Sequence, residues 1–242
     1  MRVAVISDIH ANRHALDAVL SAVDSASVDE LWCLGDLVGY GPKPTECVRA
    51  VAARCDVCLC GNHDLGAIGT IDLQEFSGDA ARGVVETLPL LDADSRSYLA
   101  SLQPTGERAG AGLFHGSPDD PVWEYVLSGA AALAALQATK TNLVLVGHTH
   151  VPLAISLGDG VLAGGAAPAG RRVELDGKRW LLNPGSVGQP RDGDPRAAFL
   201  LLDLEVMHAE FRRVEYPVER TQAEIRALGL PETLAARLAF GE

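Results

Sequence analysis

The chain has 242 residues, of which 48% are hydrophobic, and it carries a formal net charge of −12. This length and balance allow a sizeable buried core and exclude fully disordered and collagen-like proteins. An acidic chain is a poor non-specific binder of nucleic acid or anionic membrane. The negative net charge does not exclude a phosphorylated small molecule as a ligand, because bound metal cations can make the local electrostatic field positive.

The first third of the chain alternates short apolar runs with segments of helical period. Strands are predicted at 2–7, 29–36 and 56–61, and helices at 14–26 and 45–54. The order β-α-β-α-β predicts a mostly parallel α/β unit with right-handed crossovers.

Residues 65–108 have a different character, with helical stretches near 72–88 and 92–102 that break at Pro89 and Pro104. We expect a helical insertion that covers a pocket like a lid. The α/β pattern then resumes with a strand at 111–116, a helix at 128–139 and a very apolar strand at 142–150.

From Val151 onward, short alternating segments separated by Gly and Pro turns predict an antiparallel set of strands. Residues 160–170 are interpreted as a flexible loop or an edge segment. The tail at about 218–240 is predicted to be helical, with a stop and restart at 228–231. Residues 1–242 are thus expected to form a single domain.

The five cysteines all lie between Cys33 and Cys60. An odd number in one short region is not a disulfide framework, and it favours a reducing, cytoplasmic compartment. Cys58 and Cys60 alternate with apolar residues on a predicted strand, which favours a place in the core over a metal site. No run of about 18 uncharged apolar residues occurs, so no membrane span is predicted. The sequence leaves the oligomeric state open.

Polar residues cluster where the apolar strands end. Because the carboxyl ends of strands in open α/β sheets converge on one crevice, we expect these side chains to meet. Carboxylate and amide oxygens mixed with imidazoles suit manganese, iron, cobalt or zinc. The donors are too many for one tetrahedral ion and enough for two ions that share a bridging carboxylate. The clustered residues are Asp8, His10, Asp36, Asn62, His63, Asp64, His115, His148 and His150.

Five short motifs carry a family resemblance: SDIH (7–10), GDLVGYG (35–41), GNHD (61–64), HGSP (115–118) and GHTH (147–150). In this order, and with NPGS at 183–186, they resemble the calcineurin-like metallophosphoesterase family. The resemblance implies an α/β fold, a four-layer αββα sandwich of two sheets, with the helical insertion added. It also implies a role for each clustered residue.

Two divalent cations are implied, drawn from manganese, iron, zinc, cobalt and nickel, with Asp36 as the bridge. His63 stands where the family has its catalytic histidine, and Asp64 is interpreted as the residue that orients it or raises its pKa. One metal would be held by Asp8, His10, Asp36 and His150, and the other by Asp36, Asn62, His115 and His148.

The implied activity is hydrolysis of a small phosphodiester, phosphomonoester or phosphoanhydride by attack of a metal-bridging hydroxide. Gly39 stands where Ser/Thr protein phosphatases carry a second aspartate, which disfavours that branch. The SDIHAN opening looks more like the bacterial and archaeal phosphodiesterase and diadenosine-polyphosphatase branch. A nucleotide-type substrate is therefore expected, with a dinucleoside polyphosphate as the leading specific candidate.

The alternative is a non-catalytic, metal-binding scaffold for protein interactions on the same fold, which the retained His63 disfavours. Substrate contacts are predicted for Asn12 and Arg13, because they directly follow the first motif. Arg191 and Arg196 are further candidates, since the arginine fork binds phosphate well. For each of these side chains a position on a surface turn is an equally good interpretation.

Overall fold

The computed structural model describes all 242 residues. Twelve strands and eight helices are joined by turns and loops. The strands are β1 (Arg2–Ile6), β2 (Glu30–Cys33), β3 (Val57–Cys58), β4 (Thr105–Arg108), β5 (Ala111–Phe114), β6 (Leu143–Leu145), β7 (Leu153–Gly158), β8 (Val161–Ala166), β9 (Arg172–Glu174), β10 (Arg179–Asn183), β11 (Ala197–Asp203) and β12 (His208–Val214). The helices are α1 (Arg13–Ala26), α2 (Pro44–Arg54), α3 (Asn62–Ala67), α4 (Gly78–Thr87), α5 (Ala93–Ser101), α6 (Gly129–Ala138), α7 (Val218–Ala227) and α8 (Glu232–Ala236).

The strands form two six-stranded sheets. The first has the order β3-β2-β1-β11-β12-β9 and the second the order β4-β5-β6-β10-β7-β8. Both are mixed: β1, β2 and β3 run parallel, as do β5, β6 and β10, while the remaining pairs are antiparallel. The sequence predicted a parallel unit followed by an antiparallel set of strands. In the structure each sheet contains strands from both parts of the chain; in the first sheet, for example, β11 pairs with β1.

The alternation of side chains along β1 builds two cores at once. Val3 and Val5 face the apolar layer between the sheets, whereas Ala4 and Ile6 face the layer under the helices. All four side chains are fully buried. Because successive strand residues point to opposite faces, an uninterrupted apolar run is what a strand covered on both sides requires. The resulting order of layers is helix, sheet, sheet, helix, as the family resemblance implied.

Helices cover the outer face of each sheet. On the first sheet, α1 packs with Leu16 and Val19 and α2 packs with Val48. Helix α6 covers the second sheet with Leu136, which packs in one apolar cluster with Val144. None of the helices has both the length and the apolar character that a membrane span needs.

The segment 65–108 is helical over most of its length, with one exception. It contains the end of α3, all of α4 and α5, and the strand β4, which pairs antiparallel with β5 at the edge of the second sheet. The purely helical description was therefore wrong at 105–108, where a tight turn at Gly110 (φ +79°) returns the chain into β5. Residues 161–166 form the edge strand β8, which agrees with the edge alternative for 160–170.

Candidate metal centre

Loops that follow five strands bring nine predicted residues together. The loop after β1 supplies Asp8 and His10, and the loop after β2 supplies Asp36. The start of α3, which follows β3, supplies three more residues, and the loops after β5 and β6 supply three histidines. These nine side chains, each at most 3% exposed, are Asp8, His10, Asp36, Asn62, His63, Asp64, His115, His148 and His150.

Several of these residues have an uncommon backbone conformation. Five of them lie in the left-handed region, which costs a residue with a Cβ atom about 1–3 kcal/mol. Backbone hydrogen bonds hold two of the loops together, from Asp8 N to Gly35 O at 3.0 Å and from His10 N to Asp36 O at 2.9 Å. Such strain is typical of functional sites. The five residues and their φ angles are Asp8 (55°), His10 (47°), Asp36 (55°), His148 (62°) and His150 (61°).

The carboxylates lie among imidazole nitrogens. Asp36 Oδ2 is 3.6 Å from His10 Nε2 and 3.5 Å from His115 Nε2, and Asp8 Oδ1 is 3.4 Å from His150 Nε2. The Nε2 atoms of His10 and His150 are only 3.0 Å apart. Three groups of potential ligand atoms result, and within each group all atoms lie within 4.8 Å of one another. Asp36 belongs to two of the groups.

Backbone carbonyls fix the orientation of the imidazole rings. Three histidines turn Nδ1 to a carbonyl oxygen: His10 to Val38 (3.0 Å), His115 to Leu34 (2.9 Å) and His150 to Gln189 (2.6 Å). His148 has the opposite orientation, with Nε2 3.3 Å from Trp123 O. With the proton on the carbonyl-bonded nitrogen, each ring presents its other nitrogen as a lone pair, which is how metal-binding histidines are commonly held.

Four buried ligand atoms have no hydrogen-bond partner in the protein: Asp8 Oδ1, Asp36 Oδ2, Asn62 Oδ1 and His115 Nε2. Unpaired buried polar atoms are costly, so four of them in one place require an explanation. All four are atoms of the kinds that bind metals, and this mixture of oxygen and imidazole donors suits first-row divalent ions. The residues present therefore fit a site for divalent cations.

Burial keeps most of the imidazoles neutral. It lowers the pKa of His148 to about 3 and holds the pKa values of His10 and His150 well below their usual range. The neutral form is the one that binds a metal. Burial also raises the pKa of the Asp8 carboxyl to about 7, because a buried charge is poorly solvated.

Asp36 and His115 attract each other electrostatically, although the 3.5 Å between Asp36 Oδ2 and His115 Nε2 is not bridged by a hydrogen bond. Burial favours the neutral form of both, but their mutual attraction outweighs it. The imidazoles of His115 and His63 hold the pKa of Asp36 well below its usual range. The Asp36 carboxylate in turn raises the pKa of His115 to about 9.

His63 lies at the centre of the cluster. Its backbone N–H donates to Asp36 Oδ1 at 2.9 Å, and its ring centroid lies 4.8 Å from that of His10 and 4.4 Å from that of Tyr40. Its Nδ1 atom is buried without a partner. Burial lowers the pKa of His63 to about 4.

Asp64 does not pair with the His63 ring, which corrects the predicted role. Its Oδ1 accepts the backbone N–H groups of Leu37 and Val38 at 2.9 and 3.2 Å, and its Oδ2 accepts that of Gly61 at 3.0 Å. Asp64 therefore joins the loop after β2 to the start of α3 and supports the site through the backbone.

Neither Asn12 nor Arg13 is directed at the cluster. Asn12 caps α1 by accepting from Ala15 N at 3.2 Å, and its Nδ2 donates to Gly188 O at 2.9 Å. Arg13 pairs with Asp17 at 2.6 Å on the outer face of α1. Both side chains thus contact the protein around α1 in this structure, and a role in substrate binding stays a prediction.

The two other candidate arginines differ from each other. Arg196 forms a two-pronged ion pair with Asp194 and is turned to solvent. The guanidinium of Arg191 lies 5.7 Å from the centre of the Tyr40 ring, which in turn packs on His10 at 4.6 Å. Only Arg191 thus belongs to the surroundings of the cluster.

An aromatic rim of Phe76, Trp123 and Tyr125 borders the cluster and was not predicted. Tyr125 stacks on His148 with 3.9 Å between ring centroids, and Phe76 meets the rings of His63 and Trp123 edge-on at 5.1 Å each. The run PVWEY (121–125), two residues after the fourth motif, was an available signal for Trp123 and Tyr125. Nothing in the sequence placed Phe76, which comes from the segment 65–108.

Comparison with known proteins agrees with this geometry. Residues 1–207 match the family model described as the calcineurin-like phosphoesterase superfamily domain. A crystal structure of a metallophosphoesterase from Sphaerobacter thermophilus superposes with a TM-score of 0.91 and 41% sequence identity, covering 100% of this chain and 99% of that one.

Two curated relatives differ in how far they match. An uncharacterized protein of Methanocaldococcus jannaschii is 34% identical over 99% of this chain and 98% of its own. The symmetrical bis(5'-nucleosyl)-tetraphosphatase of Erwinia tasmaniensis is 41% identical over 68 residues, which are 27% of this chain and 25% of that protein. The second likeness is therefore local.

Proposed function

Because the chain belongs to the calcineurin-like phosphoesterase superfamily, we propose that it is a binuclear metal-dependent phosphoesterase that hydrolyses a small, nucleotide-type substrate. The observation that carries this proposal is the set of buried, unpartnered ligand atoms on Asp8, Asp36, Asn62 and His115. In the proposed assignment Asp36 is shared by both ions. Asp8, His10 and His150 complete one set, and Asn62, His115 and His148 complete the other.

The chemistry of two divalent cations at this position is the activation of a water molecule and the neutralisation of charge on phosphoryl oxygens. The protein holds its donors rigidly, because the imidazoles are fixed by carbonyls and the loops by backbone hydrogen bonds. Burial excludes bulk water, so the electrostatic interactions inside the site are strong.

His63 is the proposed proton donor to the leaving group. In the metal-free protein its pKa of about 4 leaves it neutral at pH 7. A phosphoryl group bound beside it adds negative charge, which favours the charged imidazolium and raises this pKa. The position of the His63 ring beside Asp36 and His10 supports this role, because it places the imidazole next to the proposed metal ligands.

A nucleotide-type substrate is supported by the aromatic rim. Phe76, Trp123 and Tyr125 are only partly buried, and Tyr125 is 44% exposed. Stacking of a base on an aromatic side chain contributes about 1–3 kcal/mol and tolerates any base. The five free thiols support the proposal of a reducing, cytoplasmic location.

The alternative, a metal-binding scaffold without activity, keeps the same ligand cluster. It gives no reason for His63 to lie buried beside Asp36 with an unpaired nitrogen. The two functions differ in one measurable respect, which is turnover of a phosphoester by the metal-loaded protein.

Metal analysis of the purified protein, followed by a substrate panel after manganese loading, tests the proposal. We expect about two ions per chain and hydrolysis of at least one of bis-p-nitrophenyl phosphate, p-nitrophenyl phosphate and diadenosine tetraphosphate. Asp36→Asn should lose metal and lower kcat more than about a hundredfold. Asp159→Asn is the matched control, since Asp159 is an exposed turn residue with a similar φ of 49°. Two bound ions without turnover of any substrate would favour the scaffold.

A further inference from the structure

Two arginines share one neutral acceptor beside the metal centre. Arg191 donates to Gln189 Oε1 at 2.9 Å, and Arg237 donates to the same oxygen at 3.4 Å. Gln189 is 1% exposed, and its backbone carbonyl accepts from His150 at 2.6 Å. The pair of guanidinium groups is therefore tied to the residue that orients a proposed metal ligand.

Neither of these two positive charges has an ion-pair partner in the protein. The Nε atoms of Arg191 and Arg237 are buried and have no hydrogen-bond partner. Two cations at one neutral oxygen repel each other, and buried donors without acceptors cost further free energy. An anion bound to both guanidinium groups would offset the repulsion between them.

The acidic residues nearby are already engaged with other arginines. Asp192 pairs with Arg213, and Asp194 pairs with Arg196 at 2.7 Å. No ion pair joins Arg191 or Arg237 to a carboxylate, although the chain carries 32 acidic residues against 20 basic ones. An uncompensated pair in so acidic a protein points to an anion that comes from outside the chain.

The pair lies next to the metal centre and outside it. Tyr40 connects the two regions, because Arg191 donates to its hydroxyl at 3.3 Å while its ring packs on His10 and His63 at 4.6 and 4.4 Å. A group held by the arginines is therefore a neighbour of the group held at the metals. The planar guanidinium group of arginine can donate two parallel hydrogen bonds to the oxygens of a phosphate.

We propose that Arg191 and Arg237 form a second phosphate subsite, so that the substrate contains at least two phosphoryl groups in series and the bond broken is a phosphoanhydride. This inference rests on the proposed function, since it assumes that the first phosphoryl group binds at the metals. It selects nucleoside and dinucleoside polyphosphates over phosphomonoesters and simple diesters.

Kinetics of Arg191→Gln and Arg237→Gln on two substrates test the subsite. For diadenosine tetraphosphate, we expect kcat/KM to fall at least about tenfold, mainly through KM, because a charge-assisted hydrogen bond is lost. For p-nitrophenyl phosphate, which has one phosphoryl group, the change should stay within about twofold. Arg220→Gln is the matched control, since Arg220 is exposed on α7 and forms no ion pair. An equal loss on both substrates, or no loss on either, would overturn the proposal.

Binding measurements keep the test independent of turnover. Calorimetry of the metal-loaded protein uses methylenediphosphonate as a non-hydrolysable probe with two phosphoryl-like groups and inorganic phosphate as a probe with one. We expect Arg237→Gln to weaken only the diphosphonate, by about tenfold or more, and Arg237→Lys to recover part of the loss. Thermal unfolding verifies that each variant folds. If no phosphoester is hydrolysed but this difference persists, the proposed activity fails and the subsite stands. Equal binding by wild type and both variants removes the subsite.

Discussion

The backbone and the ring of His63 have separate partners. The backbone N–H donates to Asp36 Oδ1 at 2.9 Å, whereas ring atom Nδ1 has no partner in the protein. A change of the side chain therefore removes the proposed proton donor and keeps the contact that holds Asp36. A substitution of His63 therefore tests proton donation by the side chain without removing the backbone contact to Asp36.

We predict that His63→Asn keeps both metals and lowers kcat for a poor leaving group by about 10²–10⁴-fold, the usual contribution of a general acid. With p-nitrophenyl phosphate, whose leaving group needs little protonation, the loss should be much smaller. Metal analysis and kcat on both substrates provide the test. Equal losses on the two substrates would exclude proton donation by His63.

Metal binding should release protons, and its affinity should rise with pH. In the metal-free protein at pH 7, His115 (pKa about 9) is protonated and Asp8 (pKa about 7) is half protonated, while the other imidazole ligands are neutral. Bound cations displace these protons, so the number of protons released per chain at pH 7 should be greater than zero. Calorimetry in buffers of different ionisation enthalpy measures this number. Proton uptake, or an affinity that falls between pH 6 and 9, would contradict the prediction.

The sequence predicted the cluster because each motif ends an apolar strand, and strand ends fix where a side chain lies. It did not show that Asn12 and Arg13 contact α1, since position after a motif does not tell which way a side chain turns at the start of a helix. The joint placement of Arg191 and Arg237 was also out of reach, because they meet through Gln189 across 46 positions of chain.

At the level of elements, the loop between β2 and α2 is shaped by a glycine. Gly39 has φ +85°, and a Cβ atom built there would lie 2.2 Å from Nδ1 of His63. The His63 ring therefore occupies the space that a side chain at position 39 would need. This is the position at which the resemblance to protein phosphatases would require an aspartate. The loop conformation at Gly39 and the position of the His63 ring therefore depend on each other.

We predict that Gly39→Ala displaces His63 and lowers kcat at least as much as His63→Asn does. Gly69→Ala is the matched control, because Gly69 has φ +76° and open space around its Cβ position. The control should lose only about 1–2 kcal/mol of stability from the left-handed backbone. Activity and thermal unfolding of both variants distinguish the two effects. Full activity in Gly39→Ala would show that the ring is not held where the structure has it.

Element types were predictable to a useful degree, and sheet membership was not. The periodicity of residues 2–7, 29–36 and 56–61 indicated parallel strands, and all three are neighbours in the first sheet. Nothing local to β1 shows that its other neighbour is β11, because that pairing depends on the complete set of competing strands. The short strand β4 was missed since Thr105–Arg108 is largely exposed and lacks an apolar pattern.

Across the whole molecule, the ligand cluster connects the two sheets. Asp8 and Asp36 follow strands of the first sheet, whereas His115 and His148 follow strands of the second. Between the sheets lies an apolar layer that includes Trp32. Cations at the cluster would add a second link at the edge of this layer.

We therefore predict that chelation of the metals destabilises the entire fold. A ligand at a hundred times its dissociation constant adds about 2.7 kcal/mol to the free energy of unfolding, so removal should lower Tm by about 5–10 °C in a chain of this size. Calorimetric melting with and without chelator measures the shift. Asp36→Asn, which should already lack metal, is the control and should not respond. A wild-type Tm that is insensitive to chelator would mean that the sheets do not depend on the ions.

The position of β1 has a consequence for how the protein is made. β1 lies inside the first sheet, where Val5 pairs with Leu200. During synthesis β1 leaves the ribosome before the other strands of its sheet, yet one of its hydrogen-bonding edges stays open until almost 200 further residues have followed. Such distant pairing is slow to form and exposes an apolar strand to wrong partners in the meantime. A chain interrupted before β11 would keep all nine residues of the cluster and still lack the strand that closes the sheet beside them, so we expect premature products to aggregate or to be degraded rather than to act as smaller enzymes.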